Sequence, residues 1–162
     1  MALDPKTLLC EAKALQEELV TLRRDLHAHP ELGSCEVRTT ALIKTYLEEL
    51  SIEVRPCTET GVLGILYGGK PGKTIGLRAD IDALPIQEET GLPFASKNAG
   101  VMHACGHDAH TAMLLGAAEV LQKRRETLKG SVRLIFQTAE ETAKGALSAL
   151  YNGWLDSANA VF

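Results

Sequence analysis

The octet HACGHDAH, residues 103–110, holds three of the chain's five histidines and one of its four cysteines. Cys105 and His107 are separated only by Gly106. In an extended segment, residues two apart point the same way, so a thiolate and an imidazole could face one point. Gly106 lets the backbone bend or approach closely there. One soft and one borderline ligand suit zinc or another late first-row divalent ion. A helix beginning at Asp108 would place its positive end beside Cys105 and favour the thiolate. Two readings stay open, a metal site or a buried thiol beside a loop histidine, because two donors do not complete a tetrahedral site.

Three further clusters have chemical content. In FQTAEE (136–141), Glu140 and Glu141 follow an apolar strand, and open α/β sheets place their sites at the carboxyl ends of strands. One carboxylate could bind a metal while the other acts as general base; the bland alternative is a solvated helix start. In LRADIDALP (77–85), Arg78, Asp80 and Asp82 end a strand. A carboxylate there could orient a ligand histidine, or simply pair with arginine at the surface. In RRDLHAHPELG (23–33), His27 and His29 would diverge on a helix, which favours a structural or substrate-edge role over joint ligation.

These residues need elements to position them. Leu8, Ala12, Leu15, Leu19, Leu22 and Leu26 recur at helical spacing and predict one helix over 5–29, with Cys10 on its inner side. Asp4 and Pro5 suit its start and Pro30 its end. A second helix over 36–50, with Ala41, Leu42, Thr45 and 47–50 buried, is expected to pack on the first. Strands are expected at 51–56, 62–68 and 74–80; GGKPGK (68–73) predicts an antiparallel hairpin between the last two. Residues 82–100 read as a long loop, 108–125 as a helix capped by Asp108, 131–137 as a buried strand and 143–153 as a short helix closed by Gly153. ANAVF, at 158–162, reads as a strand just begun. The alternation predicts a three-layer α/β sandwich with a mixed β-sheet. No repeat or linker divides the chain, and its stop inside an apparent core strand suggests a chain cut short.

Composition narrows the function classes. The 162 residues can bury a core, carry a net charge of −4 and include one tryptophan. There is no basic block or aromatic-rich surface, so neither nucleic acid nor a membrane surface is an expected partner. MALDPKTLLCEAK lacks the basic start and apolar run of a signal peptide, and the expected location is cytoplasmic with reduced thiols. Cys35 and Cys57 are expected to be packing or surface residues.

Taken together and in order, RRDLHAHPELG, GLRADIDALPIQEETGLPFAS, MHACGHDAHTAMLLGAA and VRLIFQTAEE resemble the metal-dependent amidohydrolases of peptidase family M20, subfamily D. That group includes aminoacylase-like N-acyl-amino-acid amidohydrolases, hippurate hydrolases, indole-acetyl-amino-acid hydrolases and N-acetyldiaminopimelate deacetylases. The resemblance implies a zinc-peptidase-like catalytic fold and two divalent ions per full-length active site, of Zn²⁺, Mn²⁺, Co²⁺ or Ni²⁺. It implies Cys105, His107 and Glu141 as metal ligands, Glu140 as general base and Asp80 as an acid beside the metals. His103, Asp108 and His110 take supporting roles. The implied reaction is hydrolysis of N-acyl amino acids by a metal-activated water. A cysteine hydrolase using Cys105 with His103 or His107 would leave the paired glutamates unexplained.

This chain departs from the pattern at Thr138, where relatives usually carry proline, and at TAKG (142–145), where they carry a glycine-rich run. The resemblance also implies that residues 1–162 are the N-terminal portion of the catalytic domain. The inserted lid or dimerisation domain, two further histidine ligands and the rest of the sheet would lie outside it. Two outcomes are therefore carried forward: a catalytic half with little amidase activity alone, or a non-catalytic remnant that binds metal weakly or not at all.

Overall fold

The structure is a computed structural model that describes residues 4–56 and 60–162; Cys57 lies outside the described residues. Helices α1 (Pro5–Ala14), α2 (Gln16–Ala28) and α3 (Val37–Glu49) precede strands β1 (Glu53–Pro56), β2 (Val62–Tyr67) and β3 (Lys70–Asp80). Helix α4 (His107–Lys123), β4 (Lys129–Gln137), α5 (Gly145–Tyr151) and β5 (Ala160–Val161) complete the chain. No helix among the described residues is long and apolar enough to cross a membrane.

The five strands form one mixed sheet in the order β1-β2-β4-β3-β5. β4 pairs antiparallel with β2 and parallel with β3. Its position follows from its residues. Leu134 and Phe136 point to one face and Ile135 to the other, and all three are buried. A strand apolar on both faces belongs in the centre of a covered sheet. Each such side chain contributes about 1.5–3 kcal/mol relative to exposure. One face carries Leu134 and Phe136 with Ile43 and Leu47 of α3 and Leu114, Leu115 and Ala118 of α4. The other carries Leu63, Ile65 and Ile135 under Ala149 and Trp154. Helices thus lie on both faces, the three-layer α/β sandwich the patterning predicts.

The predicted hairpin between β2 and β3 does not form, because β4 inserts between them. The connecting glycines serve a different purpose. A Cβ on Gly68 would lie 2.6 Å from the Leu128 carbonyl oxygen, and one on Gly130 would lie 1.9 Å from that of Lys73. The glycines let residues 68–73 cross against the start of β4.

Three other expectations are corrected. The single helix over 5–29 breaks at Leu15, whose N–H bonds to Ala12 O and whose side chain is buried. The break resets the helical register, so α1 has no buried residue and Cys10 is exposed rather than core. Helix α3 buries Thr39, Ile43 and Leu47, not Ala41 or Thr45. It meets α2 through polar tips, Tyr46 to Glu18 at 2.9 Å and Arg38 to Asp25 at 2.7 Å. The close partner of α2 is α4, where Leu19 approaches so tightly that a Cβ on Gly116 would lie 2.6 Å from it.

Candidate metal centre

β3, α4 and β4 form a β-α-β unit, with the two strands parallel and in register from Thr74↔Ser131 to Asp80↔Gln137. A parallel pair brings both carboxyl ends to the same edge of the sheet. Beyond β3 the chain continues through Asp82; beyond β4 it turns through Ala139 to Glu140 and Glu141. The 82–100 loop returns past a bridge between Leu84 and Met102. It then enters α4 at Gly106, whose φ of 85° is left-handed. A Cβ there would meet nothing within 4 Å, so glycine is needed for the turn and not for space. That turn sets Cys105 and His107 on either side of the helix entrance.

One donor atom each from Cys105, His107 and Glu141 lie within 4.8 Å of one another. His107 Nδ1 donates to the Asp82 carbonyl oxygen at 2.9 Å, and Asp82 Oδ1 lies 3.3 Å from the same nitrogen. With the proton there, Nε2 is left as the donor atom for an ion. Nε2 stands 3.9 Å from Glu140 Oε2 and 4.0 Å from Glu141 Oε1. Both distances exceed a hydrogen bond, and the gap is of the size a coordinated cation spans. A thiol, an imidazole and a carboxylate are also the donor types a late first-row divalent ion takes. The residues therefore fit a metal. Asp80, His107 and His110 form a second, overlapping group within 4.8 Å.

The local field is acidic. The Asp82 hydrogen bond pushes His107 up to about 9, against the cost of burial. Burial opposes ionisation of Asp82, but the bonds from His107 and from the Glu141 and Glu140 N–H groups outweigh it and hold the carboxyl below its usual range. Burial raises Asp80, with the nearby Arg78 and His107 opposing. A hydrogen bond to Glu141 pushes the Cys105 thiol up, helped by burial and by the charges of Glu141, Glu140 and Asp80. The expected activation of Cys105 by the α4 terminus is thus overridden by neighbouring acids. A bound cation would invert that balance.

Asp80 lies beside the cluster, bonded to Arg78, with its carbonyl oxygen accepting the Thr111 hydroxyl at 3.2 Å. Gly106, not Asp108, is the N-cap residue of α4, although Asp108 Oδ1 accepts the first-turn Ala109 N–H at 2.9 Å. Its other oxygen, Oδ2, meets His27 Nδ1 at 2.7 Å and Arg23 at 2.8 Å. His27 Nε2 reaches Glu88 at 3.2 Å, whereas His29 turns to the Asp25 carbonyl at 2.8 Å. The two histidines diverge, and His27 ties the 82–100 loop to α4. His103 is buried, and neither of its ring nitrogens has a hydrogen-bond partner among the described residues; burial lowers it to about 4. The spacing alone did not separate Asp82 from Asp80, the resemblance named only Asp80, and Glu88 was not found. Two acids at alternate positions of a strand end look equivalent until the backbone bends.

This α/β arrangement is also that of metallopeptidase catalytic domains. Human carnosine dipeptidase 1 superposes on 96% of the chain with a TM-score of 0.74, a likeness of fold alone at 13% identity. Residues 76–162 match the model of peptidase family M20/M25/M40, and the chain belongs to that family. It is similar to an N-acetylcysteine deacetylase of Bacillus subtilis (strain 168), 54% identical over 93% of this chain and 40% of the relative. An N-acyl-L-amino acid amidohydrolase of Geobacillus stearothermophilus is 44% identical over 96% of this chain and 42% of its own length. The Bacillus subtilis YXEP protein, a dinuclear metal-binding peptidase of the M20 family, superposes with a TM-score of 0.89 at 53% identity, covering 93% of this chain and 43% of that one. The chain therefore spans about two fifths of these relatives.

Proposed function

We propose that the chain is the N-terminal portion of the catalytic domain of a metal-dependent amidohydrolase acting on N-acyl amino acids. In this reading Cys105, His107 and Glu141 hold a divalent ion and Glu140 is the general base. The observation that carries it is the convergence of those three donors within 4.8 Å, with Glu140 3.9 Å from His107 Nε2. The named activities of the relatives support the substrate class.

A divalent ion bound there would supply Lewis acidity, polarising an amide carbonyl and acidifying water. Glu140 is not needed as a ligand and is half open to solvent, its side chain 41% exposed. It takes a proton from the attacking water and passes it to the leaving amine, a role worth about 10²–10⁴-fold. Asp82 fixes the ring of His107 through Nδ1 and leaves Nε2 facing the site. Arg78 holds Asp80 at the rim, where its carboxyl borders both His107 and His110.

Calorimetric titration of the chain with Zn²⁺ or Mn²⁺, alongside an assay on N-acetyl amino acids, tests the reading. The expected result is metal binding that weakens more than about ten-fold in Cys105→Ala or Glu141→Ala, since each loses one inner ligand. Glu140→Gln should bind metal normally and lose whatever turnover the parent shows. Turnover by the 162-residue chain alone is expected to be small. Binding unaffected by either ligand substitution would overturn the site, and no binding at all would favour the non-catalytic remnant.

A further inference from the structure

The turn that presents Glu140 and Glu141 leaves β4 through Gln137, Thr138 and Ala139, all buried. Ala139 has φ 51°, a left-handed conformation that a residue with a side chain rarely adopts unless its surroundings impose it. Two carboxyl groups hold this turn. Glu36, at the N-cap of α3 and with 0% of its surface exposed, accepts the Ala139 N–H on Oε1 at 3.0 Å. Thr138 Oγ1 lies 2.7 Å from each Glu36 oxygen. Further along the turn, Asp82 Oδ2 accepts the Glu141 N–H at 3.0 Å. Asp82 is also the residue that orients His107.

The Thr138 hydroxyl is fully committed. It carries one proton, which goes to Glu36, and it accepts the Ser34 N–H at 3.3 Å and meets Thr60 Oγ1 at 2.9 Å. The space is closed as well: a Cβ on Gly33 would lie 3.0 Å from Ala139 Cα. A carboxyl group buried this completely is costly unless its hydrogen bonds are made, so the pair has a definite geometry or the turn opens. Neither Glu36 nor Thr138 is among the donors of the candidate metal centre.

We infer that Glu36 and Thr138 are positioning residues: a buried hydroxyl–carboxyl pair holds the left-handed Ala139 turn and so aims Glu140 and Glu141 at Cys105 and His107. The consequence for metal binding rests on the reading of Glu141 as a ligand; the consequence for the turn does not.

Thr138→Val keeps the shape and removes the hydroxyl, and Thr138→Ser restores it. Amide exchange followed by NMR on the metal-free chain reads the turn. The Ala139 and Glu141 amides are expected to exchange about ten-fold faster in Thr138→Val, as when a buried acceptor loses its donor. They should return to parental rates in Thr138→Ser, while Leu134 within β4 is unchanged in both. Co²⁺ titration of the same proteins should show affinity reduced about ten-fold in Thr138→Val and recovered in Thr138→Ser. Unchanged exchange at Ala139 and Glu141, or a uniform rise across β4 that serine does not correct, would overturn the inference. So would a turn that opens while Co²⁺ affinity stays parental. A turn that responds as expected in a chain that never binds Co²⁺ would uphold the positioning role and refute the metal site. If Thr138→Val does not fold, Glu36→Gln, which leaves one acceptor oxygen, is expected to give the same local pattern and is judged by the same outcomes.

Discussion

His107 shows how a single ring is prepared for a metal. Its Nδ1 is occupied by Asp82, through the backbone oxygen at 2.9 Å and the carboxylate at 3.3 Å, so its Nε2 has one orientation and is the nitrogen an ion would take in exchange for a proton. Removing the outer partner of a ligand histidine typically weakens metal binding by about 10–100-fold. Asp82→Ala keeps the backbone acceptor and loses only the carboxylate, so a weakening of about ten-fold, the lower end of that range, is expected by competition with a chelator, with a smaller loss for Asp82→Asn, which also keeps a side-chain oxygen. The octet HACGHDAH was legible as a site because its residue types are chemically conspicuous. Asp82 was not, since nothing in RADID distinguishes the acid that faces a histidine from the one that faces Arg78. Glu36 and Thr138 were illegible for a different reason. They meet across a sequence separation of 102 residues; Thr138 stood out only as a departure from the proline usual in relatives, and Glu36 not at all, so nothing in either segment pointed to the other.

At the scale of elements, the long 82–100 loop is anchored by Glu88. Burial works against its ionisation, but bonds from Thr90, the Ser96 N–H and His27 outweigh that and hold its carboxyl below the usual carboxylate range. A lowered folded value means that the anchor is fully present above about pH 4.5 and is lost as pH falls through the lower folded value. Proteolysis of the 86–100 segment is therefore expected to rise as the pH is taken from about 6 towards 3, ahead of global unfolding. In Glu88→Gln the segment should already be susceptible at neutral pH and lose much of that acid dependence. The crossing of residues 68–73 over the start of β4 is testable by Gly130→Ala. With φ 84° and a Cβ placed 1.9 Å from Lys73 O, the substitution should cost at least about 2 kcal/mol in denaturant unfolding. The individual strands were legible from their apolar patterns. Their pairing was not, because GGKPGK carries the same turn signals whether the strands it joins are neighbours or are parted by a strand 60 residues later. The break at Leu15 was hidden likewise, since the apolar stripe runs straight through it.

For the molecule as a whole, the layered architecture was readable from alternating strands and helices, while the order of strands within the sheet depended on β4 being buried on both faces. The β-α-β unit does the functional assembly. It brings the ends of β3 and β4 to one edge, and the entrance of α4 to the same edge, so that residues 80–82, 105–107 and 140–141 meet. An ion that binds only the folded chain stabilises it by about 2.7 kcal/mol at 100 times its dissociation constant. The thermal midpoint should therefore rise with Zn²⁺ in the parent and stay nearly constant in Cys105→Ala. The most direct examination of the centre is anomalous diffraction at the zinc edge from crystals of the chain grown with Zn²⁺. A peak within bonding distance of Cys105 Sγ, His107 Nε2 and a Glu141 oxygen is expected, with Glu140 beside it and uncoordinated. Zinc held elsewhere while those three side chains stay bare, or turned away from one another, would contradict it.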